Sequence, residues 1–184
     1  MFAADKDSVS VASYQRWLRE KFGPLAADVL RLNPAPTDAA AGAAITAIVG
    51  DAMFGDSARL IARGISQHQP KTFAYVFTRS VAGNPQPATH SEELPFVFGS
   101  LEQPSFIKHP APDATDRQLS ALMMRTWARF AATGDPNGGG LPRWPAYDPA
   151  TDPYLDFGTR IRAGQAYRKA QLDALEAYYS SAEQ

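Results

Sequence analysis

Apolar side chains recur at helical spacing through the first third of the chain. Tyr14, Trp17, Leu18 and Phe22 predict a helix over residues 10–22, which the Gly-Pro pair at 23–24 ends. Further helical faces follow over residues 25–32, 38–49 and 56–67. Two glycines, at positions 50 and 55, argue against one continuous helix through the last two of these segments.

The hydrophobic period changes at residues 72–78. Phe73, Tyr75 and Phe77 alternate there, with Val76 on the other face, so the segment predicts a strand that is apolar on both sides. The later pattern predicts a short apolar piece at 94–98, a helix at 114–133 stopped by Gly134, a short strand near 154–157 and a last helix at 165–179.

These elements predict an α/β protein with one or two strands and five or six helices. A buried strand cannot satisfy its own backbone N–H and C=O groups and requires neighbouring strands. The sequence offers few such neighbours. We therefore expect the 184 residues to be part of a larger fold.

Composition narrows the function classes. The formal net charge is -1, from 18 basic and 19 acidic residues. This near-neutral balance argues against electrostatic binding to a nucleic acid or an anionic membrane. The chain has no cysteine, hence no disulfide and no thiolate nucleophile or metal ligand. We expect no membrane span and no signal peptide at the first residues, and the compartment stays unknown.

The three histidines are the first candidates for chemistry. His90 lies in a loop after the predicted strand, a position suited to catalysis in an open α/β sheet, although position alone favours a surface or capping histidine. His68 lies at a polar helix end, and His109 precedes a proline in a loop. No histidine pair has zinc spacing and no acidic run resembles a calcium loop, so we expect no metal and no cofactor.

A serine partner for His90 is missing from the sequence. The nucleophile elbow of α/β-hydrolases requires Gly-x-Ser-x-Gly, and the nearest match, around Ser57, has Arg59 in place of the second glycine. Ser57 also lies only 33 positions before His90, too few for the intervening strands of such a fold. We therefore expect no nucleophile in this chain. The aromatic side chains Trp127, Phe130, Trp144 and Tyr147 are expected in the core.

A resemblance to a known family rests on several segments in order. They are Gly-Asp-Ala-Met-Phe at 50–54, the strand at 73–77, Ala-Thr-His-Ser-Glu-Glu-Leu-Pro-Phe-Val-Phe-Gly at 88–99, Trp-Ala-Arg-Phe-Ala at 127–131, Thr-Gly-Asp-Pro-Asn at 133–137 and Trp-Pro-x-Tyr at 144–147. Together they resemble the C-terminal region of the type B carboxylesterases, which are α/β-hydrolases that include the para-nitrobenzyl esterases and cholinesterases. The resemblance covers nearly the whole chain.

The resemblance implies a role for particular residues. His90 would be the triad base, Glu93 a buried carboxylate beside the histidine loop and Asp51 a structural aspartate. A short helical turn would bring the Glu93 carboxylate back under the His90 loop, so we expect its neighbour Glu92 to point to solvent. Residues 1–184 would form the C-terminal part of the hydrolase domain, without the serine elbow or the catalytic acid. The implied substrate is a small-molecule carboxylic ester, and the implied partner is an upstream esterase segment, in cis or in trans.

Two other interpretations stay open. The chain could be a non-catalytic helical packing or binding module that keeps an esterase-derived fold. It could also be one half of a split enzyme that docks with a separate, serine-bearing chain. The gene sequence upstream of Met1 would distinguish these possibilities.

Overall fold

A computed structural model describes residues 9–80, 88–103 and 111–182 of the chain. The helices are α1 (Val11–Phe22), α2 (Ala26–Leu32), α3 (Asp38–Gly50), α4 (Asp56–Ser66), α5 (Leu94–Val97), α6 (Ala114–Thr133) and α7 (Lys169–Ala182). The strands are β1 (Tyr75–Phe77), β2 (Pro153–Phe157) and β3 (Ile161–Gln165). The α/β class predicted from the sequence is confirmed, with three strands in the described part of the chain.

The chain divides into two compact units. The first unit contains the residues up to Ile61 and those from Arg168 onward, and its core is helical. Tyr14, Leu18, Val29, Ile48 and Leu172 are among its buried side chains. This core follows directly from the helical apolar faces of the sequence.

Polar groups inside the first unit have defined partners. The Tyr14 hydroxyl donates to the Asn33 carbonyl over 2.8 Å, and burial raises the pKa of Tyr14 to about 12. Arg168 donates to the Asp51 carboxylate through two guanidinium nitrogens, Nε and Nη2, at 2.6–2.9 Å, and Nη2 also donates to the Asn33 side chain. Burial raises the pKa of Asp51, and Arg168 opposes that rise. Asp51 therefore joins α7 to the end of α3.

The two glycines at 50 and 55 do not interrupt the helix, contrary to the expectation from the sequence. A π-helical turn, Asp51–Gly55, connects α3 to α4 without a break. Gly55 allows close packing here, because a β-carbon would lie 3.2 Å from the Leu172 side chain. By length and mean hydropathy alone, the resulting helix Asp38–Ser66 is long and apolar enough to cross a membrane, a test that core helices of soluble proteins also pass.

The second unit, Ala62–Tyr167, contains the sheet. The strand order is β1-β2-β3, with β1 parallel to β2 and β2 antiparallel to β3. The strand at 72–78 was predicted as an interior strand. In the described sheet it lies at an edge, and Tyr75 is 41% exposed. The third strand, β3, was missed because Ile161–Gln165 contains one glycine and little alternating apolar character.

The helix predicted at 114–133 is confirmed as α6. Gly134 ends it with a left-handed φ of 67°, as the sequence indicated. Its N-terminus has a capping box, in which Asp113 and Asp116 each accept the other's backbone N–H. The buried face of α6 packs with Trp144, Leu155 and Phe157 in the core of this unit. Trp144 and Tyr147 are buried as expected, whereas Phe130 is 43% exposed.

A buried ion cluster joins the end of β1 to the start of α6. Arg79, 6% exposed, donates to Asp116 over 2.7 Å, to Asp113 over 3.0 Å and to the Thr159 hydroxyl over 3.2 Å. Asp116 is fully buried. The hydrogen bond and charge of Asp116 raise the pKa of Arg79, and backbone amides together with Arg79 lower the pKa of Asp113. The cluster is therefore an ionic anchor inside the second unit.

We predict that Arg79→Met lowers the free energy of unfolding by about 3–5 kcal/mol, because it leaves the Asp116 carboxylate buried without its cation. The double variant Arg79→Met/Asp116→Asn should recover part of this loss, since the uncompensated charge is then gone. Urea denaturation followed by circular dichroism measures both.

The matched control is Arg117→Met. Arg117 pairs with Glu102 on the surface, where both side chains are more than half exposed, and its loss should cost under about 1 kcal/mol. Equal effects of the Arg79 and Arg117 variants would show that the buried cluster is not an anchor.

Candidate functional site

The histidine turn leads directly into α5. The histidine turn is the segment Thr89–Glu93, and the side chain of His90 within it is exposed. The Glu92 amide donates to the Thr89 carbonyl over 3.2 Å, which closes a β-turn with His90 and Ser91 at its centre. Ser91 has a φ of 72°. A positive φ at the third residue is the pattern of a type II turn, a position that favours glycine.

Helix α5 fixes one end of the histidine turn to the core. The Phe96 and Val97 amides both donate to the Glu93 carbonyl over 3.0 Å, so α5 begins directly where the turn ends. The Phe96 ring is buried and contacts Phe77 of β1 at a centroid distance of 5.0 Å. The Ser120 hydroxyl on α6 donates to the Phe96 carbonyl over 2.9 Å. Both β1 and α6 thus hold the helix that follows His90.

Gly99 allows α5 to lie close to α6. Its φ is 63°, and a β-carbon at this position would lie 2.5 Å from the Met124 sulfur. Any larger residue would meet backbone strain at this φ, and the Met124 side chain would have to shift. The glycine that ends the apolar segment 94–98 in the sequence therefore has a packing reason.

The two carboxylates of the turn have the opposite burial to the one expected. Glu92 is 4% exposed, and its Oε1 accepts the Thr89 hydroxyl over 2.7 Å, whereas Glu93 is only partly buried. The expectation that Glu93 is buried and Glu92 faces solvent was wrong. It assumed helical spacing from His90 to Glu93, but the helix begins at Leu94, and residues 89–92 form a β-turn. The role expected for Glu93 stays a prediction.

Glu93 lies within electrostatic reach of the aromatic core. Burial and, secondarily, the Glu93 charge raise the pKa of Tyr75. The Tyr75 ring packs edge-on against Trp127 and Trp144, with centroids 5.2 and 5.9 Å away. Glu93 is thus electrostatically coupled to Tyr75 at the start of β1.

The other expected residues lie elsewhere. His68 is exposed in the turn after α4, where its amide donates to the Ile65 carbonyl, and Ser57 is exposed on α4. His109 lies outside the described residues. Within the described ranges, no group of three or more histidine or acidic side chains could hold a metal ion. Sequence reasoning assigned no role to Thr89 or Ser120 and expected Glu92 in solvent. It also did not predict the capping box at the start of α6, although Asp113 is a recognisable N-cap residue.

The helices, the partly parallel sheet and the histidine turn after β1 define a piece of an α/β-hydrolase-type fold. The model of the carboxylesterase family matches residues 8–175, and the chain belongs to this family. This finding confirms the resemblance seen in the sequence.

Individual relatives agree with this assignment. The chain is 29% identical to fumonisin B1 esterase of Sphingopyxis macrogoltabida over 160 residues, which is 85% of the chain and 29% of that protein. It is 36% identical to carboxylesterase 1D of Rattus norvegicus over 131 residues, 68% of the chain and 22% of that protein. A solved PNB esterase structure matches 95% of the chain and 35% of its own length, with a TM-score of 0.66 and 27% identity. The chain thus spans about a third or less of the length of these relatives.

We predict that Ser91→Gly stabilises the chain by about 0.5–1 kcal/mol. A non-glycine residue in the left-handed region costs roughly 1–2 kcal/mol, of which glycine's greater entropy in the unfolded state offsets about half. Chemical denaturation measures the difference. Ser91→Ala is the control and should change stability little, since it keeps the same strained φ; a destabilised glycine variant would contradict the turn geometry.

Proposed function

We propose that this chain is the histidine-bearing C-terminal segment of a serine carboxylesterase, with His90 as its general base and acid. The observation that supports the proposal is the position of His90. It is exposed at the centre of a turn whose following helix is held by β1 and α6, within the family-matched residues. A base that exchanges protons with a substrate requires such an accessible side chain on a fixed support.

The proposed reaction is acyl transfer through a serine on the upstream segment. As the serine oxygen forms a bond to the ester carbonyl carbon, the His90 imidazole takes the serine proton. His90 then gives that proton to the departing alcohol oxygen when the ester C–O bond breaks, leaving an acyl-enzyme. In the second half, His90 takes a proton from water, the hydroxyl attacks the acyl carbon, and the proton returns to the serine as the acid leaves.

The proposed partner is the upstream esterase segment, in cis or in trans. Two features of the second unit support it. Among the described strands, β1 pairs with β2 alone, so its other edge has N–H and C=O groups available to a further strand. Close to the histidine turn, Leu94, Phe98 and Met124 are exposed apolar side chains, with Phe98 74% exposed. Exposed apolar side chains grouped on neighbouring elements are typical of a protein contact.

The substrate proposed is a small-molecule carboxylic ester. Both relatives compared above are named as esterases, one for fumonisin B1 and one as a carboxylesterase. For this chain, the ester bond is the shared chemistry, and the acyl and alcohol groups are left undefined. Without a nucleophile the chain alone should turn over esters roughly 10⁴-fold to 10⁶-fold more slowly than a complete enzyme.

We predict that His90→Gln abolishes hydrolysis of a short-chain p-nitrophenyl ester in a complete enzyme that contains this segment. The expected loss in kcat is about 10⁴-fold or more, because the serine proton then has no acceptor. Absorbance of the released nitrophenol measures it, and circular dichroism checks that the variant is folded.

His68→Gln is the matched control, because His68 is also exposed but lies in no motif shared with the family. It should keep activity within about twofold of the unchanged enzyme. Equal losses from both substitutions, or full activity of His90→Gln, would favour the non-catalytic packing module.

A further inference from the structure

Glu92 is a buried carboxylate in an otherwise exposed turn. Its Oε1 accepts the Thr89 hydroxyl, and its Oε2 is buried with no hydrogen-bond partner within the part of the chain that the structure describes. We propose that Glu92 is a positioning residue for His90, acting through Thr89. This inference rests on the proposed role of His90, but the turn geometry on which it depends can be measured separately.

Two hydrogen bonds join the same pair of residues. The Glu92 amide binds the Thr89 carbonyl over 3.2 Å, and the Thr89 hydroxyl binds the Glu92 carboxylate over 2.7 Å. His90 and Ser91 are the two residues enclosed by this double closure. A β-turn with one backbone hydrogen bond at 3.2 Å and a strained third residue would otherwise open readily. The side-chain bond therefore limits where the His90 backbone can lie.

The same carboxylate is unfavourable for stability. A buried polar atom without a hydrogen-bond partner costs free energy, and more so when the group is charged. Among the described residues, one hydrogen bond serves the two carboxylate oxygens of Glu92. An apolar side chain of similar volume should therefore fit its site without loss of stability. A side chain whose role is stability alone would lower the folding free energy when compared with an apolar side chain of the same volume. Glu92 thus places His90 at the expense of folding free energy.

The first test uses the 184-residue chain itself. Glu92→Leu should leave the free energy of unfolding unchanged or higher, whereas hydrogen exchange at the amide of position 92 should become about tenfold faster, the effect of losing one hydrogen bond. Glu92→Gln keeps an acceptor for the Thr89 hydroxyl and should restore slow exchange. Thr89→Val removes the same bond from the other side and should exchange as fast as Glu92→Leu.

The second test measures turnover in a complete enzyme containing the segment. Glu92→Leu should lower kcat about 10-fold to 100-fold with KM within twofold, as expected when a reacting group is misplaced by about 1 Å. Glu92→Gln should recover most of the lost kcat. The matched control is Glu102→Leu, which removes a glutamate from the surface and should leave both constants unchanged.

The outcomes separate the two proposals. Unfolding of Glu92→Leu at lower denaturant, or unchanged exchange at position 92, would overturn the positioning role whatever His90 does. Loss of kcat in Glu92→Gln equal to that in Glu92→Leu would also overturn it, because the charge and not the Thr89 bond would then be responsible. Full activity of His90→Gln would instead overturn the proposed function, and the exchange data would still decide whether Glu92 holds the turn.

Discussion

The ion cluster around Arg79 is the contact on which the arrangement of the second unit depends. β1 is three residues long and pairs with one neighbour among the described strands, so its own ladder holds it weakly. Arg79 follows it by two positions and binds both carboxylates of the α6 capping box. One guanidinium thereby ties the end of the strand to the first turn of a 20-residue helix. The fork geometry of arginine suits this task, since its nitrogens reach Asp116, Asp113 and Thr159 in different directions.

The histidine turn is supported from the same two elements. β1 contacts α5 through the rings of Phe77 and Phe96, and α6 contacts it through the Ser120 hydroxyl. The ion cluster at Arg79 fixes the position of β1 against α6. The contacts from Phe77 and Ser120 then fix α5 against both elements. The His90 backbone is held by the hydrogen bond that closes the turn and by the bond from the Thr89 hydroxyl to the Glu92 carboxylate. An exposed side chain can thus have a defined place without being packed in a core.

Sequence reasoning predicted the elements that have strong periodicity. The face of α1 with Tyr14 and Leu18, and the long helix ended by Gly134, were correct because local signals and tertiary packing agree there. Gly50 and Gly55 misled because a π-helical turn continues the helix between α3 and α4. β3 was missed because its register comes from pairing with β2, which a local pattern does not contain. Likewise, Asp113 and Asp116 lie 34 and 37 positions from Arg79, so a local sequence pattern does not reveal that they bind it.

The candidate site shows why a motif identifies some residues and not others. The segment containing His90 was recognisable because of its order of residue types, and His90 was proposed as the base by that route. The carboxylate beside it depends on the backbone, since a helix brings residues 90 and 93 together whereas a β-turn brings 89 and 92 together. The positive φ of Ser91 selects the second arrangement. The residue type at position 91 does not predict a positive φ, because serine does not prefer the left-handed region. The burial of Glu92 and the exposure of His90 thus belong to a β-turn with a strained third residue, which a reading of helical spacing does not contain.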